Sequence, residues 1–285
     1  MTIRTVPAIA VTLIFWASAF AGIRAGLDAY SPWHLALLRF LVASLVLALY
    51  AAATHMRLPD WRDLPAIAVS GFLGITVYHT ALNYGEVSVT AGAASLLIAS
   101  APVFTALLAI TILGERIGAR GWAGIGISFA GVAVIALGEG KALGLELGAL
   151  VVLLAAIATS IFTVVQKPYL AKYTPLEFAT YTIWTGTLFM LPYTPGLAEQ
   201  VVSAPVASTL AVVYLGVFPG AIAYTTWAYT LSRVSASKAA STLYLSPVLA
   251  TLIAWAWLGE IPSVLSLAGG ATALTGVILV GTQGR

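Results

Sequence analysis

The sequence contains no cysteine. That excludes disulfides, thiolate metal sites and cysteine nucleophiles. Charge is scarce too. Asp, Glu, Lys and Arg make up 8% of 285 residues, against about a quarter in a soluble domain. A soluble chain so poor in charge could not cover its own surface. No GxxxxGK[S/T] phosphate loop occurs, which rules out ATP hydrolysis by that route. No His, Asp or Glu cluster has metal-ligand spacing. No nucleophile–base–acid set lies within the apolar stretches, so no catalytic residue, metal or cofactor is expected. The acids sit near the ends of those stretches or between them, with Glu177 the nearest to an exception. A carrier of cationic drugs would need a buried carboxylate as counter-ion and proton site, and the interiors of the apolar stretches carry none.

What the chain has instead is long apolar runs. Hydrophobic residues make up 60% of it. A spanning helix needs about 20 mostly apolar residues, and ten stretches qualify: 6–27, 33–53, 64–84, 88–113, 118–138, 147–167, 176–193, 207–230, 235–258 and 263–282. Short polar breaks separate them. Strands of a membrane barrel would alternate over about ten residues, so the expected fold is an all-α integral membrane protein. The Ala17-Ser18-Ala19 triplet resembles a signal-peptide cleavage site. The run around it continues to about Leu27, long enough to span. The lipid bilayer is the expected solvent. The small positive net charge of +3 reads as topology signals at segment ends, not as a nucleic-acid surface.

The two halves of the chain repeat. At an offset of 145 positions Gly71 falls on Gly216, Tyr84 on Tyr229, Pro102 on Pro247, Leu113-Gly114-Glu115 on Leu258-Gly259-Glu260, and Gly131-Val132 on Gly276-Val277. Two five-helix repeats are expected, at residues 1–143 and 144–285. Five is odd, so the second repeat enters the membrane from the opposite side. With a cytoplasmic N-terminus, ten Lys and Arg residues fall inside, from Arg4 to Arg285, and only Arg24 and Lys141 fall outside, as the positive-inside rule requires. The loop after Glu115 keeps Arg116 and Arg120, whereas its counterpart after Glu260 has none. Inverted repeats can exchange conformations and so open a central site alternately to either side.

Several motifs resemble one family. Phe15-Trp16-Ala17-Ser18-Ala19-Phe20 in the first run, Pro32 with Arg39 in the second, and Ala101-Pro102 through Leu113-Gly114-Glu115-Arg116 with its echo at Ser246-Pro247 and Leu258-Gly259-Glu260 resemble the EamA branch of the drug/metabolite transporter superfamily. The resemblance covers essentially the whole chain. Within the branch the sequence is most similar to the YddG-type exporters of aromatic and other neutral amino acids. It implies a basket of ten helices around a central cavity, lined by helices 3, 4, 8 and 9 with 1 and 6. Helices 5 and 10 would lie at the periphery and helix 2 off the cavity. It also implies a small-molecule substrate, the inner membrane, and N- and C-termini in the cytoplasm.

Polar residues inside spans are costly and usually face a cavity or a partner. The expected substrate-binding residues are Trp16, Tyr78, His79, Asn83, Ser95, Tyr224, Trp227 and Tyr244. His79 is the only histidine well inside a span. It offers a donor to a substrate carboxylate, or a proton site. The alternative is a neutral histidine hydrogen-bonded between helices. Trp16, Tyr78, Trp227 and Tyr244 offer flat surfaces for an apolar side chain. Tyr30, Trp33, Tyr50, Trp61 and Tyr169 lie at span ends and suit an interfacial belt. Arg39 offers a cation to an anionic group on a substrate, or else snorkels to the outer interface or caps a neighbouring helix's carbonyls, and the structural role is the expected one. Pro102 and Pro247, at equivalent depths, are the expected hinges. Each chain carries both repeats, so a monomer is expected to suffice.

Overall fold

A computed structural model describes residues 5–101, 103–105, 107–108, 118–139, 146–231 and 243–281. Every expected span holds a helix: α1 Thr5–Leu27, α2 Pro32–Thr54, α3 Trp61–Gly85, α4 Ala91–Thr105, α5 Ala119–Glu139, α6 Leu147–Ala171, α7 Pro175–Met190, α8 Val206–Leu231, α9 Ser246–Leu258 and α10 Val264–Gly281. No strand occurs among the described residues. The helix starts follow ordinary capping chemistry. Ser31 precedes Pro32, and its hydroxyl accepts from the His34 N–H. Thr174 and Glu177 form a reciprocal capping box ahead of Pro175, which satisfies two end donors at once. The break between α7 and α8 holds a short surface helix, Leu197–Ser203.

Large apolar side chains ring the outside. Leu45, Leu49, Leu154, Leu188, Leu210 and Leu252 are each at least half exposed. A surface of that kind is unstable in water and stable against lipid tails.

Packing follows the repeat. α1 lies against α8 and α9, and α6 lies against α3 and α4. α2 packs on α7 and α8, and α7 on α2 and α3. α5 and α10 pair mainly with each other, at the edge that the family resemblance implies. Glycines set the closest approaches. A Cβ on Gly216 would meet the Arg39 carbonyl at 2.6 Å, and one on Gly71 would meet the Gly186 N–H at 2.7 Å. These equivalent glycines join α8 to α2 and α3 to α7. At Gly131 a Cβ would stand 2.3 Å from the Ala273 nitrogen, so α5 and α10 touch backbone to backbone. Small residues allow such approach in membranes, where packing rather than water exclusion drives association.

Two irregularities also recur. α3 widens to a π-type turn over Phe72–Val77 and α8 over Gly216–Ile222, stretches that coincide at the 145-residue offset. Turns of this type are rare and concentrate at functional sites. α4 breaks at Ala99–Ser100, and α9 begins with Pro247 in its first turn after a 3₁₀ turn over Leu243–Leu245. Proline at that position needs no N–H partner. Pro247 therefore stands in the opening turn of α9 and not in its interior. Pro102 lies outside the described residues, and so does the side chain of Tyr244.

Candidate functional site

The π-type turns deliver polar and aromatic residues to the middle of the bundle. His79 follows the turn of α3, and Tyr224, its repeat counterpart, follows that of α8. Trp16 on α1 bridges to α8: its Nε1 donates to the Pro219 carbonyl at 3.3 Å. Its ring lies 5.4 Å from that of Tyr224 and 5.3 Å from that of Trp227. Thr12 and Thr226 share a 2.7 Å hydrogen bond, and Ser18 and Tyr214 one of 2.6 Å, so α1 is laced to α8 along its length.

His79 is 3% exposed. Its ring sits 4.5 Å from those of both Phe40 and Tyr78. Neither ring nitrogen has a hydrogen-bond partner among the described residues. Among the described residues His79 thus makes no interhelical hydrogen bond. Tyr78 and Tyr224 lie within electrostatic range of each other, which joins the Trp16 group to the His79 group.

Of the expected binding residues, Trp16, Tyr224 and Trp227 form one ring group and Tyr78 and His79 a second one near it. Two others are engaged elsewhere. Asn83 is fully buried and its Nδ2 donates to the Pro32 carbonyl at 2.9 Å, tying α3 to α2. Ser95 is buried on α4 and donates to the Gly92 carbonyl of its own helix at 2.6 Å. Two surface clefts are lined by none of the five residues in these ring groups. One is lined by Tyr50, Thr54, Met56, Arg57 and Glu177, the other by Phe72, Thr76, Tyr84 and Leu154. Among the described residues no three His, Asp or Glu side chains converge as metal ligands.

Two expectations are corrected. Tyr30 is not interfacial. It is 2% exposed, and its hydroxyl shares a 2.7 Å hydrogen bond with Thr209, because α1 and α8 close over it. Arg39 neither snorkels nor caps. It is 2% exposed, and its Nε and Nη1 reach no carbonyl or carboxylate among the described residues. Phe40, His79 and the close α2–α8 contact at Gly216 enclose it, so its chain cannot run along a lipid-facing surface to the interface.

The two ends of the bundle carry separate charge networks. At one, Arg24 pairs with Glu260 at 2.8 Å and donates to the Glu86 and Val87 carbonyls. Glu260 also accepts from the Ala91 N–H at 3.2 Å. One guanidinium thus staples α1 to the end of α9 and to the α3–α4 connection. At the other end Arg57 pairs with Glu177 at 3.0 Å, and Lys172 with Asp60 and Asp63 at 3.0 and 2.6 Å. There the Arg62 backbone N–H and then the Lys172 ammonium hold the Asp60 carboxyl below its ordinary range.

Glu86 was hidden from the sequence. It stands in a connection, yet it is fully buried, and neither carboxylate oxygen has a partner among the described residues. Arg24 takes its carbonyl instead. Burial raises its pKa well above the ordinary carboxylate value. Arg24 on α1 and Arg39 on α2 oppose the rise, and Glu260 beyond α9 adds to it. A carboxyl raised in the folded state binds its proton more tightly there than in the unfolded chain. Stability is then highest below the ordinary carboxylate range and falls as pH climbs through the raised value. Glu86→Gln is accordingly expected to melt higher than wild type at neutral pH, with the gap closing as pH falls to about 4. Melting in detergent across that pH range checks this; a lower melting temperature for the variant at neutral pH would refute it.

Comparisons with known proteins agree with this architecture. Residues 4–137 and 146–282 each match the EamA-like transporter family. An uncharacterized transporter of Bacillus subtilis, YdfC, is 50% identical over 209 residues, covering 73% of this chain and 68% of that one. A probable terminal-alkyne amino-acid exporter of Streptantibioticus cattleyicolor is 45% identical over 284 residues, covering 99% of this chain and 95% of its own. An uncharacterized inner membrane transporter of Escherichia coli, YedA, is 27% identical over 212 residues, covering 74% of this chain and 68% of its own. A solved crystal structure, 22% identical, superposes with a TM-score of 0.64 over 97% of each chain, a likeness of fold.

Proposed function

Since the chain belongs to the EamA-like transporter family, and is a transporter rather than an enzyme, we propose that it is a secondary carrier exporting neutral, above all aromatic, amino acids by alternating access. The observation that carries this reading is the half-buried ring group of Trp16, Tyr224 and Trp227, with the Tyr78–His79 pair close to it. Aromatic faces of this kind take an apolar or aromatic side chain, and the adjoining polar groups take the backbone end of an amino acid. The amino-acid exporter at 45% identity supports the substrate class.

The remaining parts of the reading follow from the repeat. Residues 1–143 and 144–285 are two repeats of opposite orientation, with both termini in the cytoplasm and the chain in the inner membrane. The segments around Pro102 and Pro247 are the hinges. Exchange of conformation between the repeats opens the His79 cluster to one side and then the other. A single chain suffices. Asn83 and Ser95 support the site from its margin, and Tyr244 is counted among the substrate-binding residues on its sequence position alone.

The test is counterflow. Purified protein is placed in liposomes loaded with unlabelled amino acids, and uptake of labelled phenylalanine, threonine and lysine is followed. Saturable uptake of the two neutral substrates but not of lysine is expected. A folded protein that takes up none of them would discard the amino-acid assignment and leave a carrier of other small amphipathic metabolites.

A further inference from the structure

An arginine in the middle of a membrane bundle demands compensation. A buried cation costs several kcal/mol unless it is paired and hydrogen-bonded. Arg39 has little of either. It lies about two turns into α2 and is 2% exposed, with Nε and Nη1 unpartnered among the described residues. Its guanidinium carbon stands 5.3 Å from the centre of the Phe40 ring, a contact that offsets only part of the lost hydration. None of the ion pairs among the described residues includes it. The Glu86 carboxylate lies within its electrostatic range, and among the described residues both Glu86 oxygens are unpartnered as well.

Its surroundings are those of the proposed site. Tyr78, Tyr224 and His79 all lie within electrostatic range of the guanidinium, and Phe40 bridges Arg39 to His79 through ring contact. α2 cannot drift away to relieve the charge, because Gly216 brings α8 against the Arg39 carbonyl itself. The cation is therefore held beside the aromatic cluster with unmet donors.

We propose that Arg39 is a substrate-binding residue that anchors a carboxylate, and that every good substrate of this carrier bears one. The inference rests on the amino-acid reading above and narrows it: the recognised element is the carboxylate, and the aromatic cluster takes the side chain. Guanidinium–carboxylate pairing is among the strongest hydrogen-bonded contacts a protein makes. It supplies here the counter-charge that the fold withholds. A substrate without that charge leaves Arg39 as unpaired as before, and uncharged analogues are discriminated against accordingly.

Matched probes differing only at the carboxyl test this. Counterflow is measured in wild type with phenylalanine against phenylalaninamide, and with 3-phenylpropionate against its amide. The acid of a transported pair is expected to have a KM about ten- to a hundredfold below its amide. In Arg39→Gln the ratio falls to about one, through a higher KM for the acid. Arg39→Lys retains the charge but not the planar donor array, so it keeps part of the discrimination. Thermal melting and size exclusion establish that each variant is folded. If Arg39→Gln does not fold, the wild-type ratio and Arg39→Lys decide the matter. Equal KM for acid and amide in wild type, or undiminished discrimination in folded Arg39→Gln, overturns the proposal. The two readings fail separately. Loss of the amino-acid assignment appears as no phenylalanine uptake by wild type. The anchor then stands if 3-phenylpropionate is carried in preference to its amide and Arg39→Gln abolishes that preference, and it falls if neither acid is carried.

Discussion

His79→Leu is expected to lower phenylalanine counterflow about ten- to a hundredfold while leaving the melting temperature unchanged or raised. The two halves of this result have one cause. Both ring nitrogens of His79 are buried without partners among the described residues. A buried polar group with no hydrogen bond costs roughly 1–3 kcal/mol, so an apolar side chain of similar volume removes a penalty. The same nitrogens are available to a bound substrate, and losing one hydrogen bond to a charged group is worth roughly 1.5–3 kcal/mol, which sets the size of the transport defect. A histidine that merely joined helices would behave in the opposite way, with stability falling and transport following it. Counterflow and melting of the same preparation separate the two. Wild-type transport in a folded His79→Leu protein would remove His79 from the site.

The second large effect is expected at Gly216. Its Cβ would lie 2.6 Å from the Arg39 carbonyl and 2.7 Å from the Val42 Cβ. The first of these is backbone, which cannot swing aside. Gly216→Ala must push α8 from α2, and overpacking of this kind costs roughly 1–3 kcal/mol. The displacement also shifts the helix that bears Arg39, so surviving protein should transport poorly. Gly126 provides the control. It sits within α5, and a Cβ there meets nothing within 4 Å. Gly126→Ala should be neutral or stabilising by up to about 1 kcal/mol, since alanine is the better helix former. Melting temperatures of the two variants, measured side by side, check the pair. A Gly216→Ala protein as stable as Gly126→Ala would mean that α2 and α8 do not touch as described.

Much of the architecture was legible in the residues themselves. The spans are long apolar runs because lipid offers the backbone no hydrogen-bond partner, so each segment must close its own as a helix. Scarce charge, the repeat and the Lys and Arg tally likewise depend on local composition and order. Gly71 and Gly216 match at the repeat offset, and the structure supplies what each touches, Gly186 and Arg39. The repeat-equivalent π-type turns went unread, although Pro219 beside Gly220, in a stretch aligned with Gly74, was a usable sign.

What the sequence by itself determined is therefore the medium, the helices and their order, each set by short stretches of chain against lipid. What only the tertiary structure decided is which polar atoms are left without partners. Glu86 stands in a connection and looks solvated, yet packing buries it. Arg39 lies near enough to a helix end to have snorkelled, yet Gly216 and Phe40 close over it. Tyr30 looks like an outward-facing anchor, yet packing buries it and its hydroxyl bonds to Thr209 of α8. Whether a hydrogen bond is made depends on residues more than a hundred positions away in the chain. No local pattern encodes that distance, so the unmet donors of His79 and Arg39 appear only once the helices have packed.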